Sequence, residues 1–296
     1  MKTILLTGSN GFLGKNIYKE LHKKSNLITL ARTNANYCID LSYSIPKIPK
    51  VDIIIHTLGK AHDLNKNNFS YFEYFKNNVI TTLNLLEGLD KNNLPSSFIY
   101  ISSVSVYGKT SGLDITEEYS LDAKDPYGFS KIQTEQLLLK WTKQYNINLL
   151  ILRLPLLIGE NPVGNYKSLI KSIKHNLYFN IRDLEVKKSY LLASDISRNI
   201  LEFSNYKGIF NLTDGTDITI SDFTNAIALK LNKSKPISCS LRFFKIICIL
   251  GDYFGKYSPI NSKKFHKLTQ SLTFSNKKAV QTFQWNPKQI KENITF

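Results

Sequence analysis

Apolar residues along this chain come in short dense runs separated by longer stretches of helical periodicity. Thr3 to Thr7, Asn26 to Ala31, Val51 to Thr57, Ser97 to Ser102 and Asn148 to Leu154 are apolar on both faces and read as strands. Runs of that kind belong in a parallel sheet covered by helices on both sides. The segments from 12–16 to 24, from 69 to 90 and from 127 to 145 are long enough to be the crossover helices. Regular alternation of this sort predicts an α/β fold with a doubly wound parallel sheet.

After Gly159 the rhythm changes. Pro162 and Gly164 precede a helical stretch from Tyr166 to Leu177, and mixed segments follow. Ile209 to Leu212 reads as one more strand returning to the sheet, so residues 190–213 are expected to rejoin the first unit. The expected division is 1–160 for the doubly wound part and 161–296 mainly for a smaller α/β part.

Composition narrows the picture further. With 42% hydrophobic residues in 296, the chain can bury a large core. Cys38, Cys239 and Cys248 are scattered without a C-x-x-C pair, against a metal cluster or disulfide framework, and a reducing cytoplasm is the natural setting. The net charge is +16, yet only five of the 39 basic residues are arginine and no dense basic block occurs, so a nucleic-acid partner is not expected. No apolar run approaches the roughly 20 residues needed to span a bilayer. Leu241 to Leu250 reads as the core face of a helix, with a peripheral amphipathic membrane contact as the alternative.

The first strand runs into Gly8-Ser9-Asn10-Gly11-Phe12-Leu13-Gly14, a G-x-x-G-x-x-G turn opening a helix. Glycines there let the backbone approach a pyrophosphate lying on the helix N-terminus, so a dinucleotide is the expected ligand. At the end of the second strand an acidic residue would bind the adenosine ribose hydroxyls of NAD, but the chain has Arg32. An arginine there either pairs with the 2'-phosphate of NADP or is an ordinary loop residue, which favours NADP and leaves NAD open. Asp40 and Leu41 are candidates for the adenine side, and Leu58 and Gly59 end the third buried run. His56 and His62 lack a third ligand nearby and read as packed or exposed rather than metal-binding.

Tyr127 and Lys131, four apart in a helix, share one face. A lysine ammonium beside a phenol is expected to lower its pKa from about 10 and make it an acid–base group. The strand Phe98 to Ile101 ends in Ser102-Ser103-Val104-Ser105, at the sheet edge where such folds bind ligands.

Together these motifs resemble the extended short-chain dehydrogenases/reductases, the NAD-dependent epimerase/dehydratase family that acts on nucleotide sugars. The likeness extends through Asn78 to Leu86, Ile115-Thr116-Glu117, Glu135 and Leu152-Arg153-Leu154-Pro155. It implies a Rossmann fold with a C-terminal substrate-binding part, catalysis by Ser103, Tyr127 and Lys131, and NADP or NAD as cofactor. The resemblance places the cofactor against Gly8, Asn10, Gly11, Phe12, Leu13 and Gly14, then Arg32, Asp40, Leu41, Leu58, Gly59, Asn78, Tyr127, Lys131 and Pro155. It places a nucleotide-sugar substrate at Ser103, Ser105, Asn165 and Lys188, and it implies a homodimer packed through the helices around 77–90 and 127–145.

In the family's 4,6-dehydratases an Asp and a Glu follow the catalytic hydroxyl, and in the enzymes that make GDP-fucose a cysteine stands at the second of those positions. Here Val104 and Ser105 occupy them, which argues against dehydration and against C3 or C5 epimerisation. Chemistry at C4 remains. The expected activity is 4-keto reduction of a UDP-6-deoxy-N-acetylhexosamine for surface polysaccharide. The alternative is 4-epimerisation of a UDP-linked or polyprenyl-diphosphate-linked N-acetylhexosamine, and a dinucleotide-binding regulator without catalysis is the different-class alternative.

Overall fold

The computed structural model describes residues 2–60, 71–253 and 262–296. His62 and the start of the helix expected from 69 lie outside them. The strands in chain order are β1 (Thr3–Thr7), β2 (Asn26–Ala31), β3 (Tyr37–Cys38), β4 (Ile53–His56), β5 (Ser97–Ser103), β6 (Gly112–Ile115), β7 (Asn148–Leu154), β8 (Leu156–Ile158), β9 (Phe179–Ile181), β10 (Tyr190–Leu192), β11 (Gly208–Asn211), β12 (Ile237–Cys239) and β13 (Leu272–Phe274). The helices are α1 (Phe12–Leu21), α2 (Tyr71–Tyr74), α3 (Thr81–Glu87), α4 (Pro126–Tyr145), α5 (Gly164–Lys174), α6 (Ala193–Phe203), α7 (Ile220–Lys230), α8 (Leu241–Tyr253), α9 (Ser262–Thr269), α10 (Lys277–Phe283) and α11 (Ile290–Asn293).

Seven strands form one sheet in the order β11-β7-β5-β4-β1-β2-β3. Every pairing in it is parallel. The order runs outward in both directions from β1, so the reversal point lies between β1 and β4, the place where doubly wound sheets bind ligands. The core has two layers because the central strands are apolar on both faces. Ile4, Leu6, Ile53, Ile55 and Ile99 pack under α1 and α6, while Leu5, Ile54, Phe98 and Tyr100 pack under α3 and α4.

β1, β2 and β7 match the apolar runs residue for residue, whereas the run from Val51 to Thr57 contributes only Ile53–His56. The helix after Pro162 begins at Gly164 and stops at Lys174, earlier than the periodicity to Leu177 suggests. Outside this sheet, among the described residues, are three two-stranded parallel pairs, β8 with β10, β9 with β12 and β6 with β13, two of them joining a strand before residue 160 to one after it. Among the described residues no helix is long and apolar enough to cross a membrane.

Candidate functional site

The glycine turn lies at the C-terminal end of β1. Gly8 has φ of +72°, in the left-handed region, and a Cβ on Gly14 would stand 2.1 Å from the Gly8 carbonyl oxygen. Only a bare backbone closes this turn onto the first turn of α1. Gly11 precedes α1 without a side-chain cap, so the first amides of the helix remain available to an anion. Ser9 Oγ is buried in the turn with no hydrogen-bond partner among the described residues. This cradle fits a dinucleotide diphosphate. Phe12 is half-buried, but Leu13 and Leu41 turn their side chains into the core, so they could meet a ligand through backbone alone.

A cleft of about 460 Å³ opens between α1 and the connection from β2 to β3, lined by Ser9, Asn10, Lys15, Asn34 and Asn36 among others. It does not reach Ser103 or Tyr127. Arg32 is exposed beside it in sequence, and Asn10 Nδ2 donates to the Thr33 carbonyl. Asp40 is already engaged, its Oδ1 accepting from Ser42 N–H at 2.9 Å and from the Ser42 hydroxyl at 2.7 Å. Burial pushes the Asp40 carboxyl up, but the Ser42 bonds and then the Arg32 charge outweigh it and hold the pKa below the usual range.

Ser103 closes β5, where the backbone turns from extended geometry into the short 3-10 turn Val104–Tyr107. Its Oγ accepts from Ser105 N–H at 3.1 Å and lies 3.1 Å from Ser105 Oγ. Asp125 caps α4 by accepting from Gly128 N–H at 3.0 Å, and Pro126 occupies the first helical position. A Cβ on Gly128 would sit 2.7 Å from the Ser105 carbonyl oxygen, so the glycine lets the first turn of α4 rest against the serine loop. That approach places Tyr127 near Ser103, whose hydroxyl favours the phenolate. Tyr74 stacks obliquely near the Tyr127 ring, with centroids 6.0 Å apart.

Lys131 is buried, donates to the Ile101 carbonyl at 2.9 Å and lies 4.7 Å from the Tyr100 ring centroid. Burial lowers its pKa to about 8. The expected lowering of the tyrosine is not what the structure shows: burial pushes Tyr127 up to about 12, against the Ser103 hydroxyl. The physical reason is that burial disfavours the phenolate by more than the Ser103 hydroxyl favours it.

Residues 75–80 form a π-helical turn between α2 and α3, and Asn78 sits within it. Asn78 Oδ1 accepts from Lys60 N–H at 2.8 Å and its amide donates to Ser130 Oγ at 2.7 Å, tying the end of β4 to α4. Gly59 packs against the same amide and Lys131. His56 is buried between Thr7 Oγ1 at 2.6 Å and Thr82 Oγ1 at 2.9 Å. Among the described residues no cluster of three His, Cys, Asp or Glu could hold a metal.

Ser102, Glu135 and Arg153 stand in motifs whose spacing assigns them no role. Ser102 donates to Glu135 Oε1 at 2.5 Å, and Arg153 binds both carboxylate oxygens from β7. On the substrate side, Asn165 is exposed at the start of α5. Lys188 is half-buried and its pKa falls to about 8, through burial first and then the charge of Lys267. Pro155 stands at the junction of β7 and β8.

The model of the NAD dependent epimerase/dehydratase family matches residues 4–208, from β1 to the start of β11. The chain is 24% identical over 313 residues to a UDP-glucose 4-epimerase of Vibrio cholerae, covering 97% of this chain and 92% of that protein. It is 24% identical to the N-acetyl-alpha-D-glucosaminyl-diphospho-ditrans,octacis-undecaprenol 4-epimerase of Escherichia coli O157:H7, covering 88% and 82%. It is 25% identical to a GDP-6-deoxy-D-mannose reductase of Pseudomonas aeruginosa, covering 76% and 79%. With the glycine cradle, the sheet and the match over more than half its length agreeing, the chain belongs to the NAD dependent epimerase/dehydratase family.

Proposed function

We propose that this enzyme transfers hydride at C4 of a sugar carried on UDP, and that its reaction is NADPH-dependent reduction of a 4-keto-6-deoxy-N-acetylhexosamine. The observation that carries this is the end of β5, where Ser103, near Tyr127, is followed by Val104 and Ser105 rather than by a carboxylic acid or a thiol. Val104 is a hydrocarbon, and the Ser105 hydroxyl is neutral near pH 7. Neither can move a proton at C5 or C6.

A bound nicotinamide supplies the hydride. The Ser103 hydroxyl holds the C4 oxygen, and the Tyr127 hydroxyl gives that oxygen its proton as charge develops on it. With its pKa pushed up to about 12 the phenol holds its proton at neutral pH and has one to give. Lys131 is the candidate for the nicotinamide ribose, and Asn165 and Lys188 for the sugar diphosphate. Arg32 and Lys15 put two cations near the adenosine side of the cradle, which supports NADPH.

A second reading, 4-epimerisation of a UDP-linked or polyprenyl-diphosphate-linked sugar, is supported by the two 4-epimerases that align with most of the chain. The same three residues would serve it. Exposed Leu83 on α3 and Phe129 and Leu139 on α4 support a homodimer through these helices.

The test is absorbance of NADPH and NADH with UDP-4-keto-6-deoxy-N-acetylglucosamine, run beside epimerisation of UDP-N-acetylglucosamine. Net consumption of NADPH is expected. Interconversion without consumption would replace the reductase by the epimerase, and neither activity would overturn the C4 assignment.

A further inference from the structure

Helix α8 carries its apolar residues on the outside. The sequence reading put Leu241 to Leu250 on the core, but only Phe244, Cys248 and Gly251 are buried. Phe243 is 54% exposed, Ile246 56%, Ile249 54%, Leu250 55% and Tyr253 89%. Positions 243, 246, 250 and 253 are three or four apart, so they form one stripe along the outward face. The inward edge is already satisfied, because Phe244 sits between Phe179 of β9 and Phe265 of α9 with ring centroids 5.7 Å from each. Ile237 on β12, 80% exposed, adds to the apolar surface of this part of the chain. Single exposed apolar residues are ordinary; a run along one helix face marks an interaction surface.

Charge selects the partner. Residues 230–269 contain nine lysines and arginines and one carboxylate, Asp252, so this stretch supplies +8 of the chain's +16. Arg242 and Lys245 are exposed on α8, one turn before Ile246 and Ile249 respectively. Asp252 is occupied by Ser262, whose hydroxyl and N–H both donate to it. A second copy of this chain would set the same cationic excess against itself. An anionic bilayer complements both features, taking apolar side chains at the acyl boundary and cations at the headgroups.

The location gives the surface a use. α9 packs on α8 through Phe265 and carries Lys267, whose charge acts on Lys188 beside β10. The face therefore belongs to the unit that stands next to the candidate sugar-diphosphate contact.

We propose that α8 is a peripheral docking face for an anionic membrane, with Phe243, Ile246, Ile249, Leu250 and Tyr253 entering the interface and Arg242 and Lys245 meeting lipid phosphates. The surface alone carries this, and vesicle binding is measured with no sugar or cofactor present, so its failure is separate from failure of the C4 assignment.

The experiment is co-sedimentation of the full chain with vesicles of phosphatidylglycerol and phosphatidylcholine, and with phosphatidylcholine alone. Binding to the anionic vesicles is expected, reduced by added salt and at least tenfold weaker for Ile246→Asp/Leu250→Asp. Arg242→Gln/Lys245→Gln keeps the apolar stripe and should also weaken binding. Both double variants should keep the parent's activity on a water-soluble nucleotide sugar. No binding of the parent chain to anionic vesicles, or equal binding by the Asp variant, overturns the proposal. So does a concentration-dependent oligomer that the Asp variant abolishes while vesicles bind neither protein, which would give the face to a second copy.

Discussion

Glu135 of α4 and Arg153 of β7 form a bidentate ion pair, Nε to Oε1 at 3.1 Å and Nη2 to Oε2 at 2.7 Å, with 1% and 2% of their side chains exposed. Arg153 is also the register partner of Ser102 across β5 and β7, and Ser102 donates to the same carboxylate. The pair therefore holds the two strands together one residue before Ser103. Its outer side is closed as well, because Arg153 Nη1 donates to Tyr107 Oη at 3.1 Å and Tyr107 donates to Asn211 Oδ1 at 2.7 Å.

Breaking a buried pair leaves a charge without a partner and costs about 3–5 kcal/mol. Glu135→Gln is expected to lose that much stability in urea unfolding, and its kcat should fall because the end of β5 loses an anchor. Replacing both residues by apolar ones, Glu135→Leu with Arg153→Met, removes the orphaned charge and should recover part of the stability but not the kcat. Equal losses in stability for the single and double variants would show that the pair is not what holds the strands.

Tyr127 and Ser103 are expected to separate in kinetics. Tyr127→Phe removes the proton and should lower kcat by about 10²–10⁴ while leaving cofactor binding nearly unchanged, since the ring remains. Ser103→Ala keeps the donor but loosens the carbonyl, and Ser105 lies 3.1 Å from the missing oxygen, so a smaller loss is expected. Stopped-flow hydride transfer beside NADPH titration measures both. Full turnover by the phenylalanine variant would remove Tyr127 from the chemistry.

The chain displayed its sheet because β1, β5 and β7 are dense apolar runs buried on both faces, and β2 is one over its second half. It hid β3, which is only Tyr37 and Cys38, and the pairing of β6 with β13, whose partners Gly112 and Leu272 are far apart in sequence. Gly8, Gly11 and Gly14 were legible because backbone geometry demands glycine there. The Glu135–Arg153 pair was not, since nothing in the spacing of two polar residues on different elements says that both turn inward. Periodicity identified α8 as an amphipathic helix but could not say which face meets the protein, and the structure reverses the expected side.

His56 makes stability depend on acid. The Thr82 hydroxyl donates to the Asn78 carbonyl at 2.7 Å, so it accepts from His56 Nε2–H, and Nδ1 is left to accept from Thr7. Burial, reinforced by Lys131, lowers the ring's pKa to about 3. An unfolded chain takes up a proton near 6.5 that the folded one refuses. The contribution is therefore complete above that pH and is lost as pH falls toward 3, at about 1.4 kcal/mol per unit. Between pH 7 and pH 4 the parent should lose roughly 3 kcal/mol more than His56→Gln in urea unfolding. Parallel losses would mean that the ring titrates normally in the folded chain.

Arg32 is expected to discriminate between the two cofactors. It is exposed at the end of β2, where an acidic residue would bind ribose hydroxyls and repel a phosphate. A charge-assisted bond from its guanidinium to a 2'-phosphate contributes about 1.5–3 kcal/mol, or roughly 10- to 100-fold in affinity. Arg32→Asp is therefore expected to weaken NADPH binding by at least that factor and to leave NADH unchanged or tighter. Lys15, in the neighbouring cleft, tests the geometry independently: Lys15→Gln should affect NADPH and not NADH. Equal affinity of the parent chain for the two cofactors, unchanged by Arg32→Asp, would place Arg32 among ordinary surface residues.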